Sequence, residues 1–457
     1  MTPLRNQPAP QKPVTRSKLL PLAMTLSSAL LAFSPPAQAQ SLVTLYESAR
    51  AFDAGYQSAK LQYDANLAKA DQAKAGILPV AGLAAGASRT GFQNTSPLTD
   101  RSFSTQNASL TITQPLYRPA NLAAYEQGLR QITQARALLD AAEQDLVVRT
   151  GQAYFDVLAA QDTLTFVTAQ KAAVAEQLAS AKRNFEVGTS TITDTREAQA
   201  RYDLVTAQEI TADNDLHIKK ITLDQLVGKS ESQPNGLLVP VILPAVLVTD
   251  ASVWVQQSEN VHPSIRQARS AVEIAELEVK KAEAGHKPTL DATASYNVQR
   301  NPSGTITSQP LTFRANTSNI GVLLNVPLFA GFATQNRVRE TLSLKDKALS
   351  DLENARRTVA LSTRTAYFGV LSGQGQVKAL EAAELSSQSA LDANKLGYQV
   401  GVRINIDVLN AQSQLFQTKR DLAQARYNVL LGGLRLRQAN GSLTPDDLQA
   451  INLLLVK

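Results

Sequence analysis

The run from Ala120 to Phe185, ANLAAYEQGLRQITQARALLDAAEQDLVVRTGQAYFDVLAAQDTLTFVTAQKAAVAEQLASAKRNF, decides the fold. It holds no proline, and its glycines, Gly128 and Gly151, stand isolated. As one helix, about 65 residues at 1.5 Å each make a rod of roughly 100 Å. Helices of globular domains average about 10–14 residues. A second such run extends from about Asn336 to Tyr398. An ordinary domain has no use for two rods of this length. An aromatic content of only 5% fits long helices packed by small side chains.

The two rods belong to one unit written twice. Ala153-Tyr154-Phe155 recurs as Ala366-Tyr367-Phe368, Val187-Gly188 as Val400-Gly401, Asp194 as Asp407, and Ala198-Gln199 as Ala411-Gln412, all at an offset of 213 residues. Pro115-Leu116 matches Pro327-Leu328 at 212, and Ala75-Gly76 matches Ala284-Gly285 at 209. The order of the matches is kept, and the offset drifts only between blocks. Each unit begins with a helical stretch, about Leu42 to Gly76 or Pro263 to Gly285, with apolar residues such as Leu61, Ala65 and Ala68 at helical spacing. Two strand-like runs follow, then the rod, a turn at Val187-Gly188 or Val400-Gly401, and a return helix, about Asp194 to Val227 or Asp407 to Gln438.

The strand pattern is cleanest at Leu290 to Gln299, where Leu290, Ala292, Ala294, Tyr296 and Val298 alternate with polar residues. Ile320 to Val326 and the segment around Leu110 and Ile112 are weaker, and Leu78 to Phe92 is rich in Gly and Ala. A half-buried soluble hairpin gives the same alternation. If these strands form a membrane barrel, four per chain cannot close one, because the smallest have about eight. Two copies would supply eight strands and three would supply twelve, and the pattern does not choose between them. The chain then divides into a leader (1–39), a first repeat (40–227), an inter-repeat segment (228–262), a second repeat (263–438) and a C-terminal segment (439–457). The inter-repeat segment breaks the helical pattern with Pro234, Gly236, Pro240 and Pro244 among Val239, Val241, Ile242 and Leu243. Both segments are expected to pack around the middle of the rods.

Residues 1–39 read as a secretory signal peptide: a basic start, an apolar run from Leu19 to Phe33, and a small-x-small site at Ala37-Gln38-Ala39. Its removal takes the formal charge from +6 to +2, since Arg5, Lys12, Arg16 and Lys18 leave with it. No nucleic-acid partner is therefore inferred from the basic composition. No later run is apolar and long enough for a spanning helix, so entry into a membrane would require strands closed into a barrel. The chain has no cysteine, which excludes disulfides, thiolate metal sites and cysteine nucleophiles. His217, His262 and His286 are scattered in sequence and read as surface residues. No phosphate loop, nucleophile–base arrangement or metal cluster is apparent, so no cofactor is expected and an enzyme is the poorest reading.

The ordered set Ala153-Tyr154-Phe155-Asp156-Val157-Leu158, Phe185-Glu186-Val187-Gly188-Thr189, Ile192-Thr193-Asp194, Tyr398-Gln399-Val400-Gly401-Val402-Arg403, Asp407-Val408-Leu409 and Ala425-Arg426-Tyr427-Asn428 resembles the TolC family of outer-membrane channel-tunnels. The resemblance covers nearly all of the chain after the leader. It implies a mainly α protein with a membrane β-barrel: a homotrimer sharing twelve strands in the outer-membrane lipid and a coiled-coil helical tunnel in the periplasm. It also implies a passive duct in a tripartite efflux or type I secretion system. The partners would be a periplasmic adaptor docking at the tips (Gly188, Thr189, Gly401, Val402) and an inner-membrane pump of ABC, RND or MFS type. Without a cysteine to lipidate, the chain is more like TolC itself than like the family's lipid-anchored branch.

By the same resemblance, Tyr398 and Arg403 would bond to Thr193 and Asp194 and hold the periplasmic end shut. Ordinary capping competes, because Thr191 and Asp194 also fit a capping box. The family's paired constriction aspartates correspond to Asp407 and, in place of the second, Asn410. The equivalent pair in the other unit is Asp194 and Glu197. A periplasmic coiled-coil adaptor or scaffold is the alternative from another class, although adaptors of that kind carry one long hairpin and an inner-membrane anchor. The leader yields a direct prediction: amino-terminal sequencing of the membrane-extracted protein should begin at Gln40, and a retained leader would refute the processing site.

Overall fold

The computed structural model describes residues 40–456 apart from 96–97, 239, 242, 245–249 and 306–311. The expected leader, and Val239 and Ile242 of the inter-repeat segment, lie outside the described residues. The first unit runs α1 (Leu42–Phe52), α2 (Ala54–Lys74), β1 (Val80–Thr95), β2 (Leu98–Tyr117), α3 (Pro119–Glu186) and α4 (Ile192–Val227). The second runs α5 (Ala251–Val261), α6 (Pro263–Glu283), β3 (Thr289–Asn301), β4 (Phe313–Asn325), α7 (Ala333–Gln399) and α8 (Asn405–Asn440), followed by the short α9 (Asp447–Asn452). The rods α3 and α7 have 68 and 67 residues, and both return helices have 36.

The structure differs from the sequence reading in two places. The stretch expected as one helix from Leu42 to Gly76 is broken at Asp53, which ends α1 and caps α2 by accepting from the Tyr56 backbone N–H at 2.7 Å. Arg149 on α3 holds the same carboxylate at 2.8 and 3.1 Å, so the break is pinned to the rod. The counterpart α5 was read as non-helical with the rest of the inter-repeat segment. Its prolines all precede Asp250, the residue that caps α5, and they leave the following 11 residues free to be helical. His262 then ends α5 and caps α6, as Asp53 does between α1 and α2.

The four strands form one antiparallel sheet in the order β1-β2-β3-β4. Because paired residues share a face, the register sorts the side chains. Leu83 pairs with Leu110, Leu110 with Tyr296, Ile112 with Ala294, and Ala294 with Ile320. Thr111, Ser295 and Asn319 form the matching row on the opposite face. The apolar face is bare: Leu83 is 79% exposed and Ile320 88%. A half-buried soluble hairpin would cover that face, so the soluble alternative does not describe this sheet. Leu328, Phe329 and Phe332 extend the bare apolar surface towards the start of α7.

A polar joint connects sheet to rods. The Arg118 Nε and Nη2 donate to the two Asp291 oxygens at 2.7 and 2.6 Å, a bidentate fork between the end of β2 and the start of β3. Asp291 is buried there. Nearby, Gln114 Nε2 donates to the Ile77 carbonyl and Asn121 Nδ2 to the Gly76 carbonyl, which satisfies the backbone where helix turns into strand. Gly128 lets α2 and α3 close up, since a Cβ there would lie 3.2 Å from Ala70 Cα.

The largest core lies at mid-rod. Tyr154 and Phe155 are buried edge to face at 5.7 Å, and Phe155 meets Tyr427 at the same separation. The Tyr154 hydroxyl donates to the Asn235 carbonyl at 2.8 Å. Gln40 bridges to Pro234 and Leu237 to Leu455, so the residues before α1, the inter-repeat segment and the C-terminal segment clasp one another over this core. The repeat is chemically asymmetric here: Phe155 is buried, whereas its equivalent Phe368 is 59% exposed. Leu361 and Phe368 lie seven apart and Leu371 and Leu385 fourteen apart, the spacing of a coiled-coil seam, and all four are exposed.

The joint generates a stability prediction. Asp291→Asn keeps the shape and removes the charge from a fork that is buried on one side. It is expected to cost about 2 kcal/mol and to lower the dissociation temperature of the detergent-extracted oligomer. An unchanged temperature would mean that the fork contributes nothing to the joint.

Candidate functional site: the hairpin tips

Both hairpins turn in the same way. α3 and α7 end at Val187 and Val400, and Gly188 and Gly401 follow with φ of +77° and +78°. That left-handed conformation disfavours side chains and suits glycine. The Thr189 N–H reaches the Asn184 carbonyl at 2.8 Å, and the Val402 N–H reaches the Gly397 carbonyl at 2.8 Å, closing each helix with its spare carbonyls satisfied. Val187, Val400 and Val402 stand largely exposed around these turns. The tip residues Gly188, Thr189, Gly401 and Val402 thus form two copies of one small apolar-edged knuckle.

Within one protomer the structure does not bring Tyr398 and Arg403 onto Thr193 and Asp194. Asp194 belongs to the capping box of α4: its Oδ2 accepts from the Thr191 N–H at 3.0 Å, the Thr191 hydroxyl at 2.7 Å and the Ser190 hydroxyl at 2.8 Å. Burial raises the Asp194 carboxyl, but the bonds from Thr191 and Ser190 outweigh it and hold the group below the usual carboxylate range. A depressed carboxylate stabilises the fold above its unfolded value and loses that contribution only as pH falls through the folded one. The cap therefore persists in mild acid. Thr193 is exposed on the first turn of α4. The Tyr398 hydroxyl accepts from Asn184 Nδ2 at 3.3 Å, and Arg403 Nη1, in the turn before α8, lies 3.6 Å from Asp407 on the first turn of α8. The Arg403 stem folds over Gly397, where a Cβ would lie 2.7 Å from its Cγ.

The two hairpins of a protomer are joined through Asn405, Gln177 and Arg201, which the sequence pattern did not single out, together with Leu409 and Asn410. Asn405 is fully buried at the start of α8. Its amide donates to the Asp194 carbonyl at 3.4 Å, and its oxygen accepts from Gln177 on α3. Arg201 on α4 donates to Asn410 Oδ1 at 2.8 Å. Leu409 fills the cluster of Val174, Leu178, Ala198 and Val205 in the first hairpin. The signal for Asn405 was available: Asn405, Val408, Leu409 and Gln412 are all buried at helical spacing, so a polar residue sat on an apolar stripe. Asp407 and Asn410 each have an arginine beside them: Arg403, four residues before Asp407, and Arg201, which is 209 residues from Asn410 and which residue spacing alone could not reveal.

Among the described residues no group of His, Asp or Glu is placed to hold a metal ion. No described helix is long and apolar enough to cross a membrane. The tips therefore offer hydrogen-bonded contacts that can be made and broken, beside an exposed apolar rim.

Comparison with known proteins agrees with this architecture. The family model described as outer membrane efflux protein matches residues 45–229 and 254–442, one block in each repeat. The outer membrane protein TolC of Vibrio cholerae is 32% identical over 435 residues, covering 95% of this chain and 98% of that protein. TolC of Escherichia coli is 32% identical over 456 residues, covering 96% and 90%. In fold, the crystal structure of the Campylobacter jejuni CmeC outer membrane channel superposes with a TM-score of 0.77 at 16% identity, covering 91% of this chain and 90% of that one. With both of its repeats matched and more than nine-tenths of its length shared with these relatives, the chain belongs to the outer membrane efflux protein family.

Proposed function

We propose that three copies of this chain close one twelve-stranded barrel in the outer membrane and one helical tunnel beneath it, forming a passive export duct. The observation that carries this reading is the open sheet with a bare apolar face. In lipid, the unpaired backbone of β1 and β4 has no water to bond, so the edges must meet other strands. Three four-stranded sheets satisfy both edges of every copy. The exposed seam residues of α7, including Leu361 and Phe368, supply an interhelix surface for the same assembly. The duct has no catalytic role in this reading, which accords with relatives named as outer membrane proteins and channels. Energy comes from an inner-membrane pump, through a periplasmic adaptor that seats on the knuckles at Gly188, Thr189, Gly401 and Val402.

The tip is the gate. Tyr398 and Arg403 lie on the second hairpin and Thr193 and Asp194 on the first, so their contact in the closed state runs between hairpins that face each other in the assembly. Exposed polar contacts are individually weak, on the order of 1 kcal/mol or less. A few of them can hold a tip shut and still yield to a docking adaptor, which opens the duct by untwisting the tip. Asp407 and Asn410 line the constriction in this reading. The adjacent Arg403 and Arg201 temper its negative field, so cation selectivity is moderate.

Native mass measurement of the detergent-extracted protein should give three copies of the processed chain, and a stable inserted monomer would sink the architecture. In planar bilayers, the combined change Tyr398→Phe and Arg403→Ser should raise single-channel conductance with the trimer intact. Unchanged conductance would leave these side chains with helix-end packing alone. Asp407→Asn should weaken cation preference in the reversal potential, and an unchanged value would remove Asp407 from the lumen.

A further inference from the structure

The sheet carries a second feature at its far end from the helices. The register sets Arg300 on β3 directly opposite Arg314 on β4. Side chains alternate along a strand, so Arg300 shares the face of Tyr296 and Val298, the bare apolar face. Arg314 shares it through pairing. Like charges directly opposite on neighbouring strands destabilise a sheet. Both side chains are exposed, and neither guanidinium has a hydrogen-bond or ion-pair partner among the described residues. Gln106, which pairs with Arg300, adds a neutral amide on the same face. Arg89 lies one register step further out on β1 and is turned to the Ser102 hydroxyl at 3.2 Å. Asp100, on the same face of β2, lies six residues beyond Gln106, about 20 Å along the strand, and is engaged by Gln93 at 3.4 Å.

We propose that the Arg300–Arg314 pair is a binding site for the phosphate groups of a phosphorylated lipid in the outer leaflet. This rests on the membrane-barrel reading above. On β3, Val298 and Tyr296 follow Arg300 on this face, whereas on β4 Asn316 and Ser318 stand between Arg314 and Ile320, so the apolar surface meets the pair along β3 and broadens at Ile320, about 20 Å along β4. Charged side chains on a barrel's lipid face are costly at the midplane and nearly free at the interface, which is where this register puts them. A phosphate offers the acceptors that a guanidinium fork matches bidentately, and one anion between two forks converts the repulsion into attraction. A lipid is favoured over a soluble anion because Val298 and Tyr296 present apolar surface on the same face beside Arg300. Glutamine in place of either arginine would keep the strand and lose the ionic match.

The test uses the full trimer in detergent, titrated with bisphosphorylated lipid A and read by native mass measurement. Arg300→Gln with Arg314→Gln should weaken retention about 30-fold, and Arg300→Lys with Arg314→Lys should keep most of it. On the wild-type protein, lipid A stripped of its phosphates should bind as weakly as phosphorylated lipid does to the double glutamine variant. This arm decides the matter even if that variant fails to assemble. Equal binding of the two lipids, or unchanged binding by the glutamine variant, overturns the proposal. Competition by millimolar inorganic phosphate that removes all bound lipid would instead indicate a site for free anions and overturns it too. Bilayer conductance of the same preparations separates the two readings. Wild-type protein that forms no channel counts against the barrel, whereas channels of normal conductance with unchanged lipid binding count against this site alone.

Discussion

Backbone hydrogen bonding at the two edges of the sheet constrains everything else in this protein. β1 and β4 each leave one row of N–H and C=O groups without a partner inside the protomer. In water such an edge is an aggregation hazard, and in hydrocarbon it is untenable. Side chains cannot relieve the constraint, because every group in the row needs its own partner. Only another strand supplies them all. Closure by further copies follows, and in the proposed barrel the apolar face of Leu83, Leu110 and Ile320 meets lipid while that of Thr111, Ser295 and Asn319 turns inward.

The helices inherit their placement from that ring. The Arg118–Asp291 fork and the amides of Gln114 and Asn121 sit where the chain changes from strand to helix, so the rods leave the sheet at a fixed joint. Below it, small residues set the spacing: Gly128 against Ala70, and Gly151 under Leu434. At mid-rod the bulky core of Tyr154, Phe155 and Tyr427 is sealed by the clasp of Gln40, the inter-repeat segment and the C-terminal segment. The low aromatic content is thus concentrated in part at the one level where the rods must be spread and covered.

The tips obey a different economy. Their polar links within the protomer use amides and one arginine: Asn184 to Tyr398, Gln177 and Asp194 to Asn405, and Arg201 to Asn410. None of these is a carboxylate–guanidinium pair, so changes of salt or mild acid act on them weakly. The charged members, Asp194 and Asp407, are occupied within their own hairpins, Asp194 by the cap and Asp407 by Arg403 in the preceding turn. A hairpin seam of this kind holds its register without locking, which suits an element that moves against its neighbours.

Length and periodicity are local properties, and the sequence by itself determined what depends on them. The proline-free runs marked both rods to within a few residues, the shared offset marked the repeat, and alternation at Leu290 to Gln299 marked β3. The glycines that must turn left-handed, Gly188 and Gly401, were legible as turns because few other residues accept that φ. The break at Asp53 was only partly legible, because the cap on Tyr56 is local but the Arg149 fork that holds the same carboxylate comes from far along the chain. The helix α5 was hidden behind prolines that end before it begins. Only the tertiary structure decided which face of the sheet is bare, that Asn405 pins the second hairpin to the first, that Arg201 and Arg403 stand beside Asn410 and Asp407, and that Arg300 opposes Arg314. All but the Arg403–Asp407 contact, which spans four residues, are meetings of residues distant in sequence or paired by strand register, and a one-dimensional pattern carries the period of a strand or helix but not the partner its side chains will meet.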